Sequence, residues 1–272
     1  MPASAVSDFS VDAAQKALAR RSVLLGREVV FFENTDSTNI RAARFALEGS
    51  PEGLVVVADQ QSEGRGRLGR TWFSPPGRNL YLSAVVRPAL PVSEVAVLTL
   101  LAAVACARAL RRLTPVEVSI KWPNDLVVGD RKLGGILTEL SARNNTVSHA
   151  VIGIGVNVNM TAAEVPDEIR PLATSLREET GRPLSRTDLL VEILADLDRW
   201  YRVFTAGGKA LVLAEWMRLD TTVGREVLVA APSGTLTGTA EAVDGGGRLI
   251  LRLPDGSVTA VSSGDVTVLN QL

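Results

Sequence analysis

The sequence predicts an α+β protein built as two unequal parts. Apolar, β-branched runs alternate with amphipathic helical stretches as far as about residue 220. Beyond Asp220 only short strand-like runs remain, separated by Ser233-Gly234, Asp244-Gly245-Gly246-Gly247 and Asp255-Gly256, which favour tight hairpins. No internal repeat, heptad pattern or low-complexity tract points to another class. The expected division is residues 1–220 for a larger domain and 221–272 for a small β-barrel.

Taken in order, residues 10–21 have the spacing of a short amphipathic helix, with Ser10 placed to cap it. Val29-Val30-Phe31-Phe32 is an apolar strand leading into Asn34-Thr35-Asp36-Ser37-Thr38-Asn39, and residues 40–47 then return to helical spacing. Asp36 or Ser37 is positioned to cap that helix, which leaves free N–H groups beside Ser37, Thr38 and Asn39. Strands are expected over 54–58 and 80–86, and a long helix over 93–113. Residues 118–121 form a further strand closed by Trp122-Pro123-Asn124-Asp125. Residues 126–128 and 135–139 read as a hairpin around Gly129-Asp130-Arg131-Lys132. Residues 150–159 form a strand whose Gly153 and Gly155 permit close approach of another body. Residues 160–183 carry no clean period, and helices are expected over 187–204 and 210–219. Five small strands complete the chain at 227–229, 236–243, 249–253, 258–261 and 266–269.

Composition narrows the function. Lys+Arg 29 against Asp+Glu 30 leaves a net charge of −1, so no global basic field exists for nonspecific DNA binding. The single cysteine, Cys106, excludes an intramolecular disulfide, suits a reducing compartment and sits among alanines as an inert thiol. Near the amino terminus, Asp8 and Asp12 do not fit a signal peptide. The longest apolar run, about residues 95–107, reads as a buried helix too short to span a bilayer. A cytoplasmic protein without membrane or DNA partners is expected.

Against this neutral background, Gly64-Arg65-Gly66-Arg67-Leu68-Gly69-Arg70 is a local concentration of charge. Glycine lets backbone approach a ligand closely, and arginine presents a planar fork matched to carboxylates and phosphates. The run is neither a Walker P-loop nor the Gly-rich turn that opens a dinucleotide-binding helix. Other strand ends carry Ser37-Thr38-Asn39, Gln61, Lys121 to Asp125, Lys132-Leu133-Gly134-Gly135 and Gly153-Ile154-Gly155-Val156-Asn157. Each alone would pass for a turn, a surface lysine or close packing; five together point to a ligand site. His149 lies outside this set and is read as structural.

Residues 64–72 resemble the signature loop of biotin–protein ligases, and the other motifs, with Asn79-Leu80-Tyr81, follow in that family's order over about residues 30–270. The resemblance implies a mixed sheet like that of class II aminoacyl-tRNA synthetases with flanking helices, and an SH3-like fold for the small barrel. It implies two steps: biotin and Mg·ATP form biotinyl-5′-AMP and pyrophosphate, then a lysine of a biotin carboxyl carrier protein or domain takes the biotinyl group and AMP leaves. It assigns Lys132 and Arg67 to catalysis. For biotin it implies Ser37, Thr38, Asn39, Gln61, Gly64, Arg65, Arg67, Lys132, Gly134, Gly135, Gly153 and Gly155. For ATP it implies Arg67, Arg70, Trp72, Asn79, Asn124, Lys132 and Asn157, with Asp125 the candidate beside Mg²⁺ and a loop that orders on ligand binding.

The chain departs from some relatives in having Leu68 where another arginine can stand, and in lacking an arginine over residues 266–272, which leaves the small barrel without an evident nucleotide contact. About thirty residues precede Val29, room for a helix but not a winged helix-turn-helix, so the form without a DNA-binding domain is expected, as monomer or homodimer. A lipoate–protein ligase and a biotin-sensing repressor are the competing readings.

Overall fold

The computed structural model describes residues 9–232 and 234–269; Asp8, Ser233 of the expected turn and the last three residues lie outside it. Seven strands form one mixed sheet in the order β1-β2-β3-β7-β6-β5-β4. They are β1 Glu28–Thr35, β2 Leu54–Gln61, β3 Leu80–Val86, β4 Ser119–Lys121, β5 Asp125–Val128, β6 Arg131–Arg143 and β7 Thr146–Val156. Only β1 and β2 run parallel; every other neighbour is antiparallel. Strand alternation divides the core in two. Val55, Val57, Leu80, Leu82 and Ala84 join the large cluster, while Leu54, Val56, Val85 and Val151 face the other way.

The large cluster is covered by α3 Ala96–Leu113, with α5 Arg186–Thr205 and α6 Lys209–Leu219 packed on it and α1 Val11–Arg20 on α5. The opposite face carries α2 Thr38–Leu47, over β2, β3 and β7. Alternation puts Tyr81 and Ser83 of β3, Gly153 and Gly155 of β7, and Gly135, Leu137 and Glu139 of β6 on the α2 side, in register across the sheet. Among the described residues no α-helix covers this face beyond the amino end of α2, and the glycines leave it low. That uncovered floor is where a ligand fits.

Several expectations need correction. The long helix begins at Ala96, after a 3-10 turn over Val92–Glu94. The stretch Val92–Leu113 contains an 18-residue window of mean hydropathy 1.8 and so meets the length and apolarity of a membrane span, and shortness does not exclude one; within the fold it is largely the helix buried between sheet and α5. Arg131 and Lys132 lie inside β6, leaving Gly129-Asp130 as the turn. β6 and β7 continue as a long hairpin closed at Asn144-Asn145, both at positive φ. Its outer half is largely exposed on β6, and on β7 only Val147 and His149 turn inward, so it carries a weak apolar signal for a strand. Ser10 caps α1 as expected, accepting from Ala13 N at 3.3 Å. Within residues 160–183 the chain folds two 3-10 turns and α4 Leu176–Thr180.

After α6 come β8 Glu226–Ala231, β9 Gly234–Val243, β10 Leu249–Arg252, β11 Val258–Val261 and β12 Asp265–Val268, an antiparallel sheet in the order β11-β10-β9-β8-β12. It is pinned to the larger part at the start of the Trp-Pro-Asn-Asp run: Trp122 N donates to Thr222 Oγ1 at 2.9 Å and Trp122 Nε1 to the Gly247 carbonyl at 3.0 Å. Val223, Val227, Val229 and Leu249 extend the large core across the junction.

Candidate active site

The Gly/Arg loop crosses the uncovered face as a tight strap. Trp72 N donates to the Gly64 carbonyl at 2.8 Å, and Gly66 N to that of Arg70 at 2.7 Å. Leu68 and Gly69 turn the tip at φ 55° and 75°. A β-carbon on Gly64 would stand 2.4 Å from the Trp72 carbonyl oxygen, so the closure of the strap requires glycine there.

Beneath it lies a cavity of about 120 Å³, walled by Ser37, Thr38 and Asn39, by Gln61, by the strap, by Asn124 and Asp125, and by Lys132. Its floor is Gly135, Leu137, Gly153 and Gly155. The polar end is a connected network. Thr38 N and Oγ1 donate to Gln61 Oε1 at 2.9 and 3.2 Å, so glutamine takes the free amide at the start of α2. Gln61 Nε2 donates to Ser74 Oγ, which donates to the Trp72 carbonyl, both at 2.9 Å. Asn39 is locked: Nδ2 donates to the Leu137 carbonyl at 3.2 Å and Glu139 Oε2 at 2.8 Å, and Ser83 Oγ donates to Oδ1 at 2.6 Å. Ser37 occupies the N-cap position without a side-chain cap bond. Among the described residues its hydroxyl has no partner, which leaves it for a ligand. Asp36 instead accepts from Ser37 N and Thr35 Oγ1. Burial pushes the Asp36 carboxyl up, but these bonds and Arg41 outweigh it and hold the group below its ordinary value.

The opposite end is cationic. Lys132 Nζ is 2.6 Å from Asp125 Oδ1 and 5.5 Å from the centre of the Trp72 ring. Arg65 pairs with Glu139 at 3.1 Å, and Arg70 pairs with Asp265. Arg67 makes no ion pair among the described residues; its Nη1 donates to Asn124 Oδ1 at 3.2 Å and the Gly264 carbonyl at 3.4 Å. Burial lowers its pKa from the usual arginine value, Asp265 and Asp125 working the other way, and an arginine so placed remains charged. A half-buried cation without a carboxylate partner is an anion site.

Trp72 and Lys132 also border a second, more apolar cavity of about 240 Å³, closed by Phe73, Asn157, Met160, Ile169, Leu172 and Ala173. Its outer wall comes from the stretch without sequence periodicity, docked by Thr174 N on the Lys132 carbonyl at 2.9 Å and Asn157 Nδ2 on the Thr174 carbonyl at 2.9 Å.

The structure thus brings Ser37, Thr38, Asn39, Gln61, Arg65, Arg67, Arg70, Trp72, Asn124, Asp125, Lys132, Gly135, Gly153 and Gly155 to one cavity, and Asn157 to its neighbour. Gly64 and Gly134 lie behind the lining, Gly134 with its β-position 2.7 Å from the Gly155 carbonyl. Asn79 borders neither cavity: it is 1% exposed, accepts from Val158 N at 3.0 Å and donates to Asn157 Oδ1 at 3.4 Å. It holds Asn157 in place. Gly153 and Gly155 make room for protein as well as ligand, their β-positions falling 2.1 Å from Asn39 Oδ1 and 2.7 Å from Trp72 Nε1. Sequence reasoning missed Ser74, Ser83, Glu139 and Asp265. Ser83 was the detectable one, a hydroxyl within an otherwise apolar, fully buried strand.

The family model described as "Biotin/lipoate A/B protein ligase family" matches residues 31–157, and that of the "Biotin protein ligase C terminal domain" matches residues 222–269. A biotin–[acetyl-CoA-carboxylase] ligase of Mycobacterium tuberculosis is 32% identical over 255 residues, 89% of this chain and 90% of the relative. The enzyme of that name from Paracoccus denitrificans is 34% identical over 231 residues, 82% of this chain and 93% of its own. Among solved structures, a biotin protein ligase from Aquifex aeolicus in complex with biotin and ATP superposes with a TM-score of 0.76 at 28% identity, covering 90% of this chain and all of that one.

Proposed function

Because the chain belongs to the biotin/lipoate A/B protein ligase family and is an ATP-dependent biotin–protein ligase, we propose a division of labour between its two cavities. The polar and glycine-floored cavity takes biotin. Ser37, Thr38, Gln61 and the Asn39 network meet the ureido ring, and the carboxylate points to Arg67 and Lys132. The apolar cavity takes the nucleoside, with Trp72 beside the base and Asn157 at its rim. Lys132 and Arg70 border both cavities, and there the carboxylate oxygen attacks the α-phosphorus and pyrophosphate leaves, with Arg67 on the biotin side. The observation that carries this reading is that Trp72 and Lys132 are shared by both cavities.

The chemistry needs cations because both reactants are anions that repel. Arg67 and Lys132 draw carboxylate and phosphate together and stabilise charge that builds on the equatorial oxygens. In the second step a carrier lysine amine adds to the biotinyl carbon, loses its proton and expels AMP. Lys132 then lies near the oxyanion that forms. The acceptor we propose is a lysine of a biotin carboxyl carrier protein or domain, met in the cytoplasm.

The donor set fits a Mg²⁺ that arrives on ATP. The cavity's carboxylates, Asp125 and Asp265, are each ion-paired, and among the described residues no group of three or more His, Cys, Asp or Glu gathers to hold a metal. Such an ion is bound mainly by phosphate, with at most a carboxylate or two from protein. When bound it neutralises phosphate charge.

The decisive experiment is ATP–pyrophosphate exchange with biotin and lipoate in parallel, followed by transfer to an apo-carrier domain. Biotin-dependent exchange is expected; exchange with lipoate alone, or with neither, overturns the proposal.

A further inference from the structure

The strap's arginines are anchored on different bodies. Arg65 is held by Glu139 of β6, within the large sheet, and Arg70 by Asp265, 195 residues away on β12. Asp265 stands on rigid ground. It pairs across the ladder with Ala230, and a β-carbon on Gly264 would fall 2.8 Å from Val229 Cγ1 and 3.0 Å from the Ala230 carbonyl. The Gly264 carbonyl also accepts from Arg67. Arg70, by contrast, follows a turn at positive φ, and the tip residue Leu68 is 57% exposed, so no buried apolar contact fastens the tip. Through these polar contacts the small sheet reaches the strap.

We propose that Asp265 is a positioning residue: through Arg70 it ties the strap to the C-terminal sheet and so retains the adenylate until an amine arrives. The retention half rests on the ligase reading; the tie itself does not. The pair is too exposed to add much to global stability, so its effect falls on the strap's own opening equilibrium. An exposed ion pair of this kind shifts that equilibrium about three- to fivefold. The Arg65–Glu139 pair remains when Asp265 is removed, so the strap loosens without melting.

Trypsin reads the opening directly, since the strap offers cleavage after Arg65, Arg67 and Arg70. In the intact chain without added ligand, Asp265→Ala is expected to raise cleavage after Arg67 about three- to fivefold, with Asp265→Glu restoring most of the protection. In an Arg70→Ala background, Asp265→Ala should add much less, because its ion pair with the strap is already gone and only its longer-range attraction to Arg67 remains. AMP release from biotin and ATP without a carrier should rise by a similar factor in Asp265→Ala. An equal increment in both backgrounds would mean that Asp265 acts through the fold instead of Arg70, and an unchanged cleavage rate would remove the tie altogether. If the unaltered protein shows no biotin-dependent pyrophosphate exchange, retention falls with the ligase reading, while the trypsin rates still decide the tie.

Discussion

Adding one methyl group at Gly153 and at Gly155, two residues apart on one strand, should have opposite consequences. At Gly153 the new carbon meets Asn39 at 2.1 Å from Oδ1, 2.8 Å from Cγ and 3.0 Å from Nδ2. Asn39 is 4% exposed and held by Ser83, Leu137 and Glu139, so it cannot swing aside without breaking those bonds. At about 0.5–1.5 kcal/mol for a neutral bond and more for the one to a carboxylate, Gly153→Ala should cost roughly 2–4 kcal/mol. It should also raise the KM for biotin about tenfold or more, since Ser83 Oγ lies 2.8 Å from Thr38 Oγ1 as well and the network moves together. At Gly155 the carbon meets Trp72, 2.7 Å from Nε1 and 2.8 Å from Cε2. That indole is half-buried and its Nε1 has no hydrogen-bond partner, so no bond opposes its moving. Gly155→Ala should therefore cost about 1 kcal/mol, the low end for overpacking, while disturbing the ring beside Lys132, raising the KM for ATP more than that for biotin. Urea unfolding supplies the stabilities and pyrophosphate exchange with each substrate varied supplies the constants. A Gly155→Ala protein less stable than Gly153→Ala, or the two KM effects interchanged, would refute the reasoning.

Three further outcomes follow from the same geometry. Lys132→Ala should lower the exchange rate by about 10²–10³ with a stability change within about 1 kcal/mol, since its pair with Asp125 is partly exposed; near-normal rates in exchange and in a streptavidin blot would remove Lys132 from catalysis. Arg67→Ala should shorten the lifetime of enzyme-bound adenylate about tenfold or more in a dialysis assay, because Arg67 is the cavity cation without a carboxylate partner among the described residues. Asp220→Asn should stabilise the protein by about 1 kcal/mol at neutral pH. Burial raises the Asp220 carboxyl above its ordinary value despite N–H bonds from Val223 and Thr222, and its Oδ1 is buried without a partner. A raised value favours the protonated form in the fold. The aspartate's contribution is therefore full below its unfolded pKa and lost as pH rises through the folded one, so the asparagine's advantage must shrink in acid. An advantage that grew on acidification, in thermal unfolding from pH 7 to 4, would contradict the sign.

The elements legible in the sequence were those whose apolar pattern or punctuation is local. The strand at residues 80–86 is buried at every position on both faces, and Ser10 begins its helix with a hydroxyl that caps it. The outer half of the β6–β7 hairpin was not legible. On β6 the residues from Leu140 to Arg143 are largely exposed and carry no apolar alternation, and on β7 only the brief alternation of buried Val147 and His149 with exposed Thr146 and Ser148 marks the strand, so the pairing is set by the inner half and the Asn144-Asn145 turn.

Site residues divide along the same line. Ser37, Gln61 and the strap announce themselves because polar or glycine-rich sequence at a strand end has little structural reason to be there. Asn79 carries the same local signal as Asn157, yet Asn79 is spent on backbone and on Asn157 itself, a distinction decided by residues 157–160 folding over it. Charge was the least legible property. The sequence counts four cations at this cavity but not their partners, and it is the partners that give each one its work. Glu139 and Asp265 occupy Arg65 and Arg70, Asp125 occupies Lys132, and Arg67 remains. A strap whose outer arginines are tied to two different sheets, and whose middle arginine is held by neutral groups with no ion pair among the described residues, can stay closed and still present a positive charge inward. Four unpaired cations would repel one another and hold the strap open, so the acids that balance them are part of what lets two anions meet.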